Sequence, residues 1–208
     1  MKIIALADTH KQYFKMTIPE CDLFIHAGDI DVYRYDREFD HFNEWLLTIP
    51  AKERIVIAGN HDGYFEDKNP FEIKKMLTNG TYLFNDSCRV GKYKIWGSPY
   101  TPRFGNWSFM YRTVEEAQTI WSMIPEDTDI VITHGPPVGI LDKVEYPSSH
   151  VGCYWLRKKI FQIKPKLHIF GHIHQSRGME IIDGITFMNV SVIDENFEVT
   201  FKPMEIEL

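Results

Sequence analysis

Five short segments of this chain gather residue types that hold metal ions. They are Asp8-Thr9-His10, Gly28-Asp29, Gly59-Asn60-His61-Asp62, Thr133-His134-Gly135 and Gly171-His172-Ile173-His174. Carboxylate oxygen, imidazole nitrogen and amide oxygen, with no thiolate among them, suit first-row divalent ions such as manganese, iron, cobalt, nickel or zinc. Singly, such segments are commonplace, and a lone histidine after a strand is usually just a satisfied polar residue. Together they are not, for five of the nine histidines in the chain fall inside them. Charge then says what the centre would do. With two divalent ions bound, Asp8, Asp29 and a bridging hydroxide leave it net positive, because imidazoles and the Asn60 amide are neutral. Such a centre attracts phosphate and stabilises both the attacking and the leaving oxygen of an in-line displacement.

The elements that must position these residues are legible as well. Each segment directly follows an apolar run of β type, and loops leaving the carboxyl ends of parallel strands converge on one crevice. Glycines beside most of the candidate ligands let the backbone turn sharply and come close to an ion. Strands are predicted over residues 2–7, 23–26, 54–58, 81–84, 93–97, 129–133, 167–170, 179–182, 186–190 and 198–202. A helix over 36–49 aligns Phe39, Phe42, Trp45, Leu46 and Ile49 on one face. A second, over 113–124, opens with capping-box spacing between Thr113 and Glu116 and carries Val114, Ala117, Trp121 and Ile124 as its stripe. A third covers roughly 150–163. This alternation predicts an α/β sandwich. Turns at Asp183-Gly184 and Glu195-Asn196 without intervening helices predict an antiparallel extension of a second sheet.

Composition bounds the rest. At 208 residues, 44% hydrophobic and 14% aromatic, the chain has the apolar content for one domain, residues 1–208, with a core on both sheet faces. No apolar run approaches the roughly 18 residues of a membrane span, and the apolar start is too short for a signal peptide. The expectation is a cytoplasmic protein without a membrane partner. A net charge of −6 disfavours long nucleic acids, which need a basic face. Cys21, Cys88 and Cys153, odd in number and far apart, read as free thiols.

The five segments resemble the signature of the calcineurin-like metallophosphoesterases, and they span residues 8–174. The stretches Ile57-Ala58-Gly59-Asn60-His61, Pro99-Tyr100-Thr101-Pro102, Thr133-His134-Gly135-Pro136-Pro137 and Pro165-Lys166-Leu167-His168-Ile169-Phe170-Gly171 are similar to the small metallophosphoesterase-domain-containing proteins related to brain phosphodiesterases. The resemblance implies a four-layer α/β/β/α sandwich of two mixed sheets and a pair of divalent ions, with manganese favoured. It implies that Asp8, His10 and His174 hold the first ion, that Asn60, His134 and His172 hold the second, and that Asp29 bridges them. By the same resemblance His61 is the general acid or transition-state stabiliser, and Asp62 helps to orient it. Some proteins of that group have glycine where His172 stands and are weakened as enzymes; this chain keeps the histidine.

Other residues carry two readings. His26 and His168 sit inside apolar strands, either as buried hydrogen-bonded residues or as groups that orient a ligand residue. The aromatic segment 100–111 is either a packing loop or the lip of a pocket. In the second reading Phe104, Trp107 or Phe109 stacks a nucleobase and Arg103 contacts phosphate. The expected function is metal-dependent hydrolysis of a small phosphate ester, a phosphodiester such as a cyclic nucleotide, by a metal-bridging hydroxide. No residue has the neighbourhood of a covalent nucleophile. A phosphomonoesterase or protein phosphatase would use the same dinuclear centre. A nuclease acting on long DNA is a second rival, disfavoured by the short chain and its acidic balance, and a non-catalytic scaffold is a third, against which the full ligand set argues. The sequence leaves the native metal, the substrate and the oligomeric state open.

Overall fold

The central strands are apolar on both faces, so each sheet needs cover on two sides. The structure, a computed structural model, describes residues 1–145 and 148–208. In chain order its elements are β1 (Lys2–Leu6), β2 (Cys21–Ala27), α1 (Asp36–Thr48), β3 (Ala51–Ile57), α2 (Gly63–Asp67), α3 (Pro70–Met76), β4 (Thr81–Tyr82) and β5 (Asp86–Val90). Then come β6 (Tyr93–Ser98), β7 (Thr101–Pro102), β8 (Met110–Tyr111), α4 (Val114–Ser122), β9 (Ile130–Thr133), β10 (Lys143–Val144) and β11 (Ser149–His150). The chain closes with α5 (Tyr154–Ile163), β12 (Leu167–Phe170), β13 (Gly178–Ile182), β14 (Ile185–Asn189) and β15 (Met204–Glu207). Two large sheets result, ordered β15-β1-β2-β3-β4 and β13-β14-β12-β9-β6-β5.

Strand periodicity sorts the side chains into three cores. Ile3, Ala5, Leu23, Ile25, Ile55 and Ile57 of the first sheet meet Ile95, Ile130, Ile132, Leu167 and Ile169 of the second. The alternate residues Ile4, Leu6, Phe24 and Val56 face outward against Phe39, Phe42 and Leu46 of α1. Trp96, Val131, Phe170 and Phe187 face outward against Ala117, Ile120 and Trp121 of α4 and Leu156 and Ile160 of α5. The expected four-layer α/β/β/α sandwich is therefore the architecture observed.

The local signals mostly hold. Thr113 and Glu116 make the reciprocal capping box at the start of α4. The Asp183-Gly184 turn places both residues in the left-handed region, φ 50° and 81°, as a two-residue hairpin requires between β13 and β14. Elsewhere the boundaries move. Helix α5 starts at Tyr154 rather than near 150, because the Cys153 thiol caps it by accepting the Leu156 N–H and residues 149–150 pair with 143–144. The short α2 and α3 and the edge strand β5, whose alternate residues are exposed, were not expected. The α3 start is nevertheless marked, since Asn69 caps it and Pro70 opens its first turn.

One difference matters for the site. Residues 198–202 form no strand; the strand that pairs antiparallel with β1 is β15, in the register Lys2↔Glu207. The chain before it is held in a loop by Asp194, whose carboxylate accepts the N–H groups of Asn196 and Glu198 and the Thr200 hydroxyl. This local pairing competes with strand formation.

Within each sheet the strands preceding the five segments run parallel, β1-β2-β3 in one and β9-β12 in the other. The two sheets are joined at their carboxyl ends, where Ala7 N–H donates to Val190 O at 3.0 Å and Val192 N–H to Ala7 O at 3.1 Å. All five segments are thereby delivered to one edge.

Candidate metal centre

The ligand loops are tied to one another before any ion is considered. Asp8 N–H donates to Gly28 O at 2.9 Å, His10 N–H to Asp29 O at 3.2 Å and Gly171 N–H to His134 O at 3.0 Å. Side chains add cross-links: His61 N–H donates to Asp29 Oδ1 at 2.8 Å, and His172 N–H to Asp8 Oδ2 at 2.9 Å. Asp8, His10, Asp29 and His172 all have left-handed backbone, at φ 57°, 39°, 54° and 70°. Non-glycine residues adopt that region at a cost, and such strain clusters where geometry serves a function.

Three groups of ligand atoms converge, each with its members within 4.8 Å of one another: Asp8 with His10 and His174, His10 with Asp29 and His61, and Asp29 with His134 and His172. Donors about 2.0–2.2 Å from one ion stand within roughly 4.4 Å of each other, so small closing motions suffice. Asp29 shares in two of the groups, one reaching each end of the cluster. His134 Nδ1–H donates to the Ala27 carbonyl at 3.1 Å, which turns its Nε2 toward Asn60 Oδ1 at 2.9 Å and Asp29 Oδ1 at 3.3 Å. Three electron-rich atoms thus face one point, and only a proton or a cation relieves them. His10 Nε2 is buried without a hydrogen-bond partner, 3.7 Å from Asp29 Oδ2. The residues present fit two divalent ions.

Electrostatics agree with that fit. Burial pushes His10 down to about 4 and His172 down to about 3, so both rings are neutral with free lone pairs. Burial would raise Asp29, but the charge and hydrogen bond of His134, followed by His10 and His61, hold it well below the usual carboxylate range. Burial disfavours charged His134, yet Asp29 and Asp8 raise it to about 9. Without an ion, that imidazolium supplies the missing positive charge; metal binding requires its proton to leave.

Asp62, expected to help orient His61, spends its carboxylate on the backbone. Its carboxylate accepts four backbone N–H groups, from Gly59 and Ile30 on one oxygen and from Asp31 and Val32 on the other, at 2.7–3.2 Å. It thereby fastens the Asp29 loop to the Asn60 loop. Phe109 is also corrected: it is 2% exposed and packs on Phe84 and Tyr100, so no base can stack on it. Arg103 points its donors at Gly105 O and Asn106 Oδ1 within its own loop. Phe104 and Trp107 do reach the centre, 59% and 45% exposed, with rings 5.0 Å from His172 and 4.3 Å from His61. His26 and His168 are buried, and each bonds a threonine hydroxyl beside ligand residues, Thr9 at 3.0 Å and Thr133 at 2.9 Å.

Two neighbours of the centre escaped sequence reasoning. The Phe197 ring lies 4.9 Å from His10 and 5.5 Å from His174, carried there by the Asp194 loop. Its one signal, a turn-forming Asp-Glu-Asn before an aromatic residue, is too common to have found it. Asp31, two residues after Asp29, has φ 71°; burial raises its carboxyl while the charges of Lys11 and His61 pull it down.

Gly59 shows how tightly the centre is built. A Cβ there would collide with Oδ1 and the backbone nitrogen of Asp29 and stand 2.7 Å from His134 Cε1. Gly59→Ala is therefore expected to lower both Tm and metal stoichiometry, measured by thermal unfolding and elemental analysis of the same sample.

An α/β/β/α sandwich with paired Asp/His clusters at the joined carboxyl ends of its sheets has the build of a metallophosphoesterase. Residues 1–176 match the calcineurin-like phosphoesterase family, and the chain belongs to it. Metallophosphoesterase domain-containing protein 1 of Homo sapiens is 34% identical over 230 residues, spanning 100% of this chain and 71% of that protein. A UPF0046 protein of Caenorhabditis elegans is 32% identical over 217 residues, 98% of this chain and 74% of that one. Among solved structures, the phosphopantetheinyl hydrolase PptH from Mycobacterium tuberculosis superposes with a TM-score of 0.62 at 16% identity, over 94% of this chain and 90% of that one. That likeness speaks to fold alone. Family membership supports a metal-dependent phosphoester hydrolase, and no helix among the described residues is long and apolar enough to cross a membrane.

Proposed function

We propose that this protein is a dinuclear metal-dependent phosphodiesterase acting on small phosphodiesters, cyclic nucleotides among them. In this reading Asp8, His10 and His174 hold one ion, Asn60, His134 and His172 the other, and Asp29 both. When bound, the two ions lower the pKa of a coordinated water and balance the charge of the phosphoryl oxygens. His61, half-buried beside Asn60, gives its proton to the departing oxygen. Asp62 keeps the loops of Asp29 and Asn60 in fixed relation, so that the shared carboxylate and the acid move together.

The observation that carries the diester reading is the character of the rim. Phe104 and Phe197 stand around the centre, while the cations nearest in the chain are committed elsewhere. Lys11 pairs with Glu38 at 2.7 Å, Arg103 closes its own loop and Arg177 donates to Lys202 O at 2.6 Å. A monoester dianion gains most from fixed cations beyond the metals; a singly charged diester bearing a base gains more from aromatic faces.

Turnover across nitrophenyl phosphodiesters, 2′,3′-cyclic nucleotides and matching monoesters, under several divalent metals, tests this. The kcat/KM for the diesters is expected to exceed that for the monoesters. Phe104→Ala should raise KM for nucleotides more than for small nitrophenyl esters. A clear preference for monoesters under the best metal overturns the diester reading and leaves the metal centre standing.

A further inference from the structure

A general acid is effective only if its ring is aimed, and the Asp62 carboxylate is taken up by backbone N–H groups. What meets the imidazole is aromatic. The Trp107 indole lies on it, centroids 4.3 Å apart and planes inclined 30°, while His10 stands edge-on at 4.7 Å and 77° and Phe197 at 6.5 Å and 64°. The stack is a built one. Ser108 N–H donates to Asn60 O at 3.1 Å and Phe109 N–H to Glu66 Oε1 at 2.7 Å, so the residues after Trp107 are registered on the segment that carries His61. The buried Phe109 ring anchors that side, and Arg103 braces the other through Gly105 O and Asn106 Oδ1. Gly105 leaves room for the indole, since a Cβ there would come within 3.2 Å of Trp107 Cδ1. The effort is large for a side chain that is 45% exposed and adds little to any core.

We infer that Trp107 is a positioning residue for His61, its indole face holding the imidazole in the orientation from which it protonates the leaving oxygen. This rests on the acid role proposed for His61. Stacking of this geometry is favourable. The inner face of Trp107 is therefore occupied by the protein itself and is not a free platform for a base. The proton transfer balances: the His61 N–H bond breaks as the departing oxygen takes the proton, and the ring regains the proton that the next attacking water gives up on becoming hydroxide.

A misplaced catalytic group costs up to about 100-fold, and aim matters most when the leaving group needs its proton. Trp107→Ala is expected to fold with its metal content intact. It should lose roughly 10- to 100-fold in kcat on diesters with alkoxide leaving groups, but only about threefold on nitrophenyl diesters, with KM little changed on both. Trp107→Phe should recover most of the loss. In a His61→Ala background, Trp107→Ala should cost almost nothing more, because nothing remains to be aimed. Equal losses on both leaving groups, full additivity with His61→Ala, or a rise in nucleotide KM at unchanged kcat would each overturn the inference. His61→Ala measured alone separates the two readings: if its own loss does not depend on the leaving group, the acid role fails, and the inference falls with it.

Discussion

Asp29→Ala is expected to bind fewer than two divalent ions per chain and to lose at least about 1000-fold in kcat/KM, the scale on which transition-state charge stabilisation acts. The size of the effect follows from position. Asp29 is 2% exposed, belongs to the groups formed with His10 and His61 and with His134 and His172, and also accepts the His61 N–H. Removing it leaves His134 and His172 without the carboxylate of their group, leaves Asp8 as the one carboxylate among the three groups, and leaves the His61 backbone N–H without its acceptor. Asp29→Asn is the sharper variant, because it preserves the shape and removes the charge. Elemental analysis of metal-loaded protein should show a lowered stoichiometry for both, while Glu207→Ala on β15 should match the unmodified chain. Two tightly bound ions and normal turnover in Asp29→Ala would refute the shared-ligand assignment.

The second large effect separates chemistry from binding. His61→Ala should keep two metals per chain while kcat falls by roughly 10²–10⁴, the usual contribution of a positioned acid. The loss should shrink for nitrophenyl esters, whose leaving oxygen departs without a proton. Metal content is the deciding measurement, because a nitrogen of His61 also lies within 4.8 Å of His10 and Asp29 ligand atoms. An ion missing from this variant would make His61 a ligand rather than an acid.

Much of this protein could be read locally. The strand preceding each of Asp8, Asp29, Asn60, His134 and His172 was visible as an apolar run, and α4 announced itself through its capping box. These signals are legible because side-chain periodicity and helix capping act over a few residues. What failed also failed for local reasons. Residues 198–202 look like a strand, but Asp194 ties the start of that segment into a loop, and Met204–Glu207 takes the edge of the sheet. Phe109 looks like a rim aromatic because alternation says nothing about which way a loop turns; its φ of 53° sends the ring into the core.

The sequence by itself therefore determined the ligand chemistry and the family resemblance, since these depend on residue type and short spacing, and the two-sheet sandwich came with the resemblance. Only the tertiary structure decided the partnerships. Asp62 serves backbone N–H groups across two loops, Phe197 reaches His10 and His174 from the last loop of the chain, and Trp107 covers His61. His172 N–H meets Asp8 across 164 residues of chain. Contacts of that range follow from how two sheets close on one another, which is a property of the packed core and of no single segment.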